Sequence, residues 1–387
     1  MPNANTINIF FSLLRAGIYG VPVPESELPE SIDWKAVVTL AKKHVVYGII
    51  IDSVQFVPER LRPSQAVYAK MNKFAMGLLK TNAVLDLAVA HLATSLKQRG
   101  IDGVLLKGQG LARYYRVPEM RQCGDIDFYV GKKNYKEAIR ICQEDLSDDN
   151  SETHEIEPHF NFMMNGIPIE LHRLASKIHS PYRGKQFQRW IEEQLEQSPS
   201  RRIESIGNAD ITLPSYDFDA IFIFYHAWRH LIMSGLGMRQ LCDWIMVLHN
   251  HDRDIDTERL KKNIHRFGMT RGWKVFACIA VDHLGLPEDE MPLYDPTYRK
   301  KSEKILKEII NGGNFGFYSK NHLGASHERF SLTIGLSKLR KITNHYLSLL
   351  PLISVETTLM FFSSLYSGSQ STAKKLKHTL KGCIKRK

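Results

Sequence analysis

The sequence predicts an α/β or α+β core held between two helical regions, on three observations. Apolar residues recur at helical spacing before residue 98 and again from Tyr216 onward. Short β-branched or alternating runs occupy the stretch between them. An Asn165-Gly166 pair joins two of those runs, a strong hairpin signal. The chain has 387 residues, 43% hydrophobic and 24% charged, enough for two or three domains with a sizeable core.

Residues 1–97 read as an N-terminal helical region. The periodic runs are Ile7–Ile18, Trp34–Ile51 and Ala66–Leu96, and Pro22, Pro24, Pro29, Pro58 and Pro63 fall between them, where helices break. Residues 98–213 hold the core. Ile101–Leu106 is a short apolar strand entered through Gly100, and Lys107-Gly108-Gln109-Gly110 is a glycine turn leading into a short helix through Tyr115. Gly124–Val130 alternates: Ile126, Phe128 and Val130 go to one face, Asp125, Asp127 and Tyr129 to the other, as in a half-buried strand. Lys133–Glu144 reads as helix, and Phe160–Met164 with Ile167–Leu171 as the hairpin. Residues 214–387 return to helix over Tyr216–Met233, Met238–His249, Thr257–Phe267 and Gly272–Leu284, with Asn311–Gly324 expected as loop.

Five scattered cysteines with no CxxC pair argue against a disulfide framework or a thiolate zinc site and suit a reducing cytoplasm. No basic segment followed by an apolar run opens the chain, so no secretory signal is expected. The net charge of +11 is unevenly placed: residues 299–387 carry 17 Lys/Arg and 4 Asp/Glu, a net of +13, leaving −2 for the rest. A polyanion contact is therefore expected at the C-terminal end. Tyr346–Tyr366 is apolar, but Pro351, Glu356 and its Ser/Thr content argue against a membrane span, which needs about 20 apolar residues. With the lysines and arginine of 374–387 it fits a peripheral contact with an anionic inner-membrane face, weighed against a solvated tail.

Asp125 and Asp127 are two apart on a predicted strand, so they share a face at roughly 6–7 Å. Like charges so close call for cations between them. Two metal ions about 3.5–4 Å apart would meet that need and clamp a phosphoryl displacement, with hard oxygen ligands favouring magnesium or manganese over zinc. Glu170, alternating with Ile169 and Leu171, is the third acid expected beside them.

The runs Leu105-Leu106-Lys107-Gly108, then Arg121, then Gly124-Asp125-Ile126-Asp127-Phe128, then Ile169-Glu170-Leu171-His172 resemble a family of uncharacterised bacterial nucleotidyltransferases found among polysaccharide and peptide biosynthesis genes. That family is similar to the DNA polymerase β-type nucleotidyltransferase superfamily. The likeness extends over most of the chain, including His226-Ala227-Trp228-Arg229-His230 and Arg239-Gln240-Leu241-Cys242-Asp243-Trp244. It implies an α+β fold with a polymerase β-like core between helical regions. It also implies transfer of an NMP from an NTP, ATP among them, to an acceptor hydroxyl or phosphate with pyrophosphate release. Asp125, Asp127 and Glu170 would be catalytic and bind two Mg2+ or Mn2+ ions, while Lys107, Gly108, Gln109 and Arg121 would hold the nucleotide. The acceptor would be a small molecule, a glycan precursor or a peptide. Two departures stand out: the phosphate-gripping turn is Gly108-Gln109 where the superfamily has Gly-Ser or Gly-Gly, and the gap from Gly108 to Asp125 is longer than in its best-known members.

His172 and His159 are expected to support the site, and Arg229, Arg239 and Asp243 to form a polar cluster where the helices face the cleft, with Arg239 and Asp243 in a supporting role. His226 and His230 form HxxxH, but Ala227 stands where a metalloprotease has Glu, so zinc is set aside there. The alternatives are a binding or scaffold protein of the same fold without turnover, and a transferase directed at nucleic acid, for which no recognition motif is present.

Overall fold

Capping residues begin the helices where the apolar periodicity starts. In the computed structural model, which describes residues 2–148, 154–156, 159–176, 183–197 and 201–318 with isolated residues at 343 and 358, α1 spans Ala4–Tyr19. Asn3 accepts from the Thr6 amide at its start, and Gly20 ends it in the left-handed conformation. Asp33 caps α2 (Trp34–Lys43) in the same way. The expected single helix over 34–51 is two: Val45 at φ 58° turns the chain between α2 and α3 (Tyr47–Ser53). A β-branched residue there is strained, and the turn is held by Val46 N–H donating to the Ala41 carbonyl. The long α4 (Gln65–Gln98) then leads into the sheet.

The sheet has five strands: β1 (Val104–Leu105), β2 (Ile126–Tyr129), β3 (His154–Ile156), β4 (His159–Met164) and β5 (Ile167–His172), in the order β1-β2-β5-β4-β3. The β2–β5 pair is parallel and the others are antiparallel. Between strands lie α5 (Gln109–Ala112) and α6 (Gly131–Ile141), the latter continued by a π turn over Cys142–Leu146. The Asn165-Gly166 hairpin forms as expected, whereas β3 and a second hairpin, β6 (Arg202–Ile206) with β7 (Ala209–Leu213), left no clear alternation in the sequence. The first expected strand shrinks to two residues.

After α7 (Arg183–Glu192) and this hairpin come α8 (Tyr216–Met233), α9 (Met238–Asn250), α10 (Thr257–Arg266), α11 (Thr270–Asp282) and α12 (Arg299–Gly312). Helix α12 runs into the segment read as loop, as far as Gly312.

Two hydrophobic clusters organise these elements. One packs the second half of α4 and α6 against the apolar face of the sheet. The other joins α1–α3 to α8–α12, so helices from the two ends of the described chain share one core. The fold is thus mixed α+β, mostly helical. All four β2 residues are buried, not half of them: the helices around α8 and α9 cover the face that carries Asp127. The apolar stretch 346–366, Thr358 apart, and the basic tail lie outside the described residues. Among the described residues no helix is long and apolar enough to cross a membrane.

Candidate active site

Beyond β1 the chain turns at Lys107-Gly108 into α5. Gly108 has φ 60° and ψ −118°, a conformation that strains any side-chain-bearing residue. A Cβ there would stand 3.3 Å from Cys123 Sγ and 3.4 Å from the Asp125 carbonyl oxygen, so the turn lies against the loop that carries Asp125. From this turn the Lys107 ammonium reaches to 2.9 Å from Asp127 Oδ2.

Strand register arranges the rest. Asp127 lies opposite Glu170, and Glu170 opposite Asn161; one step along, Tyr129 lies opposite His172, and His172 opposite His159. Because opposed residues share a face, these six form two adjacent rows on one face. The other face presents Ile126, Phe128, Ile169, Leu171, Phe160 and Phe162 to the core. His172 Nε2 pairs with Asp127 Oδ1 at 2.9 Å and lies 3.6 Å from Glu170 Oε2. Burial alone would raise the Asp127 carboxyl, but Lys107 and His172 outweigh it and hold the group well below the usual carboxylate range. Glu170 moves the other way, raised by burial and then by the Asp127 charge. Asp125 precedes β2, is half-buried, and its carboxylate has no partner among the described residues.

Helices α8 and α9 form the facing wall. One turn apart on α8, His226 and His230 meet with Nε2 atoms 3.0 Å apart. Burial, then the Lys107 charge, lowers both pKa values, that of His230 to about 3. They therefore stand as a neutral pair sharing one N–H. On α9, Asp243 receives Nε and Nη2 of Arg121 at 2.7 and 2.8 Å and the Tyr115 hydroxyl at 2.7 Å. This buried bidentate pair ties the loop before β2 to the helical wall. Arg239 donates to the Gln122 carbonyl at 2.8 Å. Nε of Arg229, Nε of Arg239 and Nη1 of Arg121 are buried with no hydrogen-bond partner among the described residues.

Between the walls lies a cavity of about 440 Å³. Every site residue expected from the sequence lines it except Gln109. The Gln109 side chain instead turns into α4, donating to Asp86 Oδ1 at 2.5 Å and toward the Asn82 carbonyl at 3.4 Å. Its side-chain amide braces the turn against α4 and does not line the cavity. Arg121 reaches the cavity with its charge already matched by Asp243. Arg229 lines it as expected, and the structure adds His226, His230 and Phe315. The two histidines had a signal in their i, i+4 spacing. Phe315 had none. It is placed because Gly316 (φ +65°) packs so close to α8 that a Cβ would come within 2.0 Å of the Ser234 carbonyl oxygen.

The cavity thus joins carboxylates on a sheet to guanidinium groups on helices, which defines a site suited to a polyphosphate with its counter-cation. The chain belongs to a family described as uncharacterised nucleotidyltransferases, whose model matches residues 30–285. Nucleotidyl transfer is the general role of that family. No curated protein matches the chain. A crystal structure of an antigenic nucleotidyltransferase-like protein from Paracoccidioides brasiliensis is similar at 12% identity over 57% of this chain and 95% of that one, with a TM-score of 0.31.

Proposed function

We propose that this protein moves an NMP from an NTP to an acceptor hydroxyl or phosphate and releases pyrophosphate. One observation carries the reading: unmatched charge is split across a single cavity, with Asp125 and Glu170 on the sheet side and Arg229 and Arg239 on the helix side. A nucleotide chelated to magnesium or manganese brings cation and anion together and answers both. The donor set fits such a cation, since Asp125 and Glu170 offer hard oxygens with no Lys or Arg partner among the described residues. Bound by Asp125, Asp127 and Glu170, divalent ions would supply charge to the transferring phosphoryl group.

The chain's own residues account for the rest. Arg229 and Arg239 hold the β- and γ-phosphates, and Lys107 would pair with a phosphate oxygen where a divalent ion neutralised Asp127. The acceptor oxygen attacks the α-phosphorus, and the bond from that phosphorus to the oxygen bridging toward the β-phosphate breaks. The acceptor's proton passes to Glu170, whose carboxylate lines the cavity.

Pyrophosphate release, measured with Mn2+ and each NTP in turn, tests the proposal. Release with at least one NTP supports it. The tied-back Gln109 favours a second reading, a scaffold that holds nucleotide without turnover; tight nucleotide binding with no release from any NTP would select it. Labelling of a lysate with α-labelled NTP reads the acceptor as small molecule, glycan precursor, peptide or nucleic acid. The basic C-terminal stretch would hold the enzyme at an anionic membrane that presents the acceptor. Deleting residues 370–387 should then lower sedimentation with anionic liposomes and spare transfer to a soluble acceptor.

A further inference from the structure

We infer that the sheet wall holds a binding position for a first-row divalent transition ion of the Mn2+–Zn2+ class, built from His159, His172, Glu170 and Asp127. It shares Asp127 and Glu170 with the proposed transferase site, but its readout is metal binding alone, so either can fail without the other.

Register brings these donors together. His159 and His172 are directly opposed on β4 and β5, and Glu170 lies one row along on the same face. Their donor atoms all lie within 4.8 Å of one another. His172 Nε2 is 3.6 Å from Glu170 Oε2 and 2.9 Å from Asp127 Oδ1. At metal–ligand distances of about 2.0–2.2 Å, tetrahedral donors stand about 3.4 Å apart. The spacing in the protein brackets that value, and small side-chain rotations close the set.

Chemistry argues for a cation at this point. One imidazole nitrogen faces two carboxylates. A proton on Nε2 directs itself to one of them at a time, whereas a divalent ion binds both along with the second imidazole. Lys107 holds the other oxygen of Asp127, which keeps Oδ1 aimed at the cluster. Two nitrogen donors set the preference: imidazole suits zinc, copper, iron and nickel, while Mg2+ keeps to oxygen and water. A pure carboxylate site does not discriminate in this way.

The test uses metal-stripped full-length protein and no nucleotide. Zn2+ and Mg2+ affinities are measured by chelator competition on wild type, His159→Ala and His159→Gln, the last retaining side-chain bulk should the alanine variant fold poorly. The expected result is Zn2+ binding at least tenfold weaker in whichever variant folds, with Mg2+ affinity unchanged. Pulsed EPR of Mn2+-loaded wild type gives a reading that needs no variant, and imidazole nitrogen couplings are expected. Zn2+ affinity no higher than that for Mg2+ in the wild type, unchanged Zn2+ affinity in the variants, or a Mn2+ spectrum without nitrogen couplings would overturn the inference. His172 would then be only a hydrogen-bond donor to Asp127.

Discussion

The two walls of the cavity are built by opposite rules. On the sheet wall, strand register determines which side chains meet, through the β4–β5 hairpin and the parallel β2–β5 pairing, and the surplus charge is negative. On the helix wall the surplus charge is positive, and the decisive contact joins Arg121 to Asp243, 122 positions apart. The sheet wall is therefore specified by strand register, local across the hairpin and long-range between β2 and β5. The helix wall exists only once α8 and α9 pack over the sheet. A site that needs both a metal and a phosphate grip depends on that packing as much as on its carboxylates.

The sharpest way to break the comparison is to detach the helix wall. Asp243→Ala leaves the buried Arg121 charge without its partner, and breaking such a pair costs about 3–5 kcal/mol. Chemical denaturation should show that loss. A change below about 1 kcal/mol would mean that the Arg121–Asp243 pair is not what ties the walls together. On the sheet side, Asp127→Asn should lower NMP transfer by about 10²–10³ or more, the scale set by removing one group that stabilises developing charge. Pyrophosphate release within threefold of wild type would remove Asp127 from the chemistry.

Arg229→Ala and Arg239→Ala probe the helix wall without touching the carboxylates. Each should raise KM for the NTP about tenfold, with a smaller effect on kcat, as befits grip on phosphates distant from the reacting bond. An unchanged KM in both would leave the phosphate grip to Lys107.

The helical side also carries a pH liability. Burial, then the Lys43 charge, pushes the His44 imidazole down to about 3 in the folded protein, against about 6.5 when unfolded. As pH falls from about 6.5 toward 3, the unfolded chain takes up a proton that the folded chain refuses. Stability is thus lost on acidification, by about 1.4 kcal/mol per unit for this one group. Denaturation midpoints at pH 7 and pH 5 should show a smaller decline in His44→Leu than in wild type; equal declines would clear His44. The smallest effect is expected for Gln109→Ala: about 1 kcal/mol of stability and an unchanged KM, because the side chain braces α4 and does not face the ligand. A raised KM there would restore Gln109 to the nucleotide site.

Much of the sheet wall was legible because Asp127, Glu170 and the Asn165-Gly166 turn obey short-range rules. Alternation gives each strand its polar face, and a two-residue loop fixes the register of β4 on β5. The long helices were legible for a similar reason, and the expected Tyr216–Met233 is α8 to the residue. Periodicity could not show that Gln109 points into α4 toward Asp86, since the direction of a turn side chain depends on what packs behind it. Nor could it show the break at Val45, whose backbone conformation opposes its own preference and is held from outside.

From the sequence alone came most of the helices, the strands β1 and β2, the β4–β5 hairpin, and the strand face on which Asp127, Glu170 and His172 lie. Those properties follow from neighbours within a few residues, where backbone geometry leaves little choice. The tertiary structure decided which charges are matched and which are left for a ligand. Lys107 against Asp127 and Arg121 against Asp243 are closed pairs, while Arg229, Arg239 and Asp125 are not. That division depends on distances between side chains far apart in the chain, set by how a helical core closes over a sheet, and no local pattern encodes it.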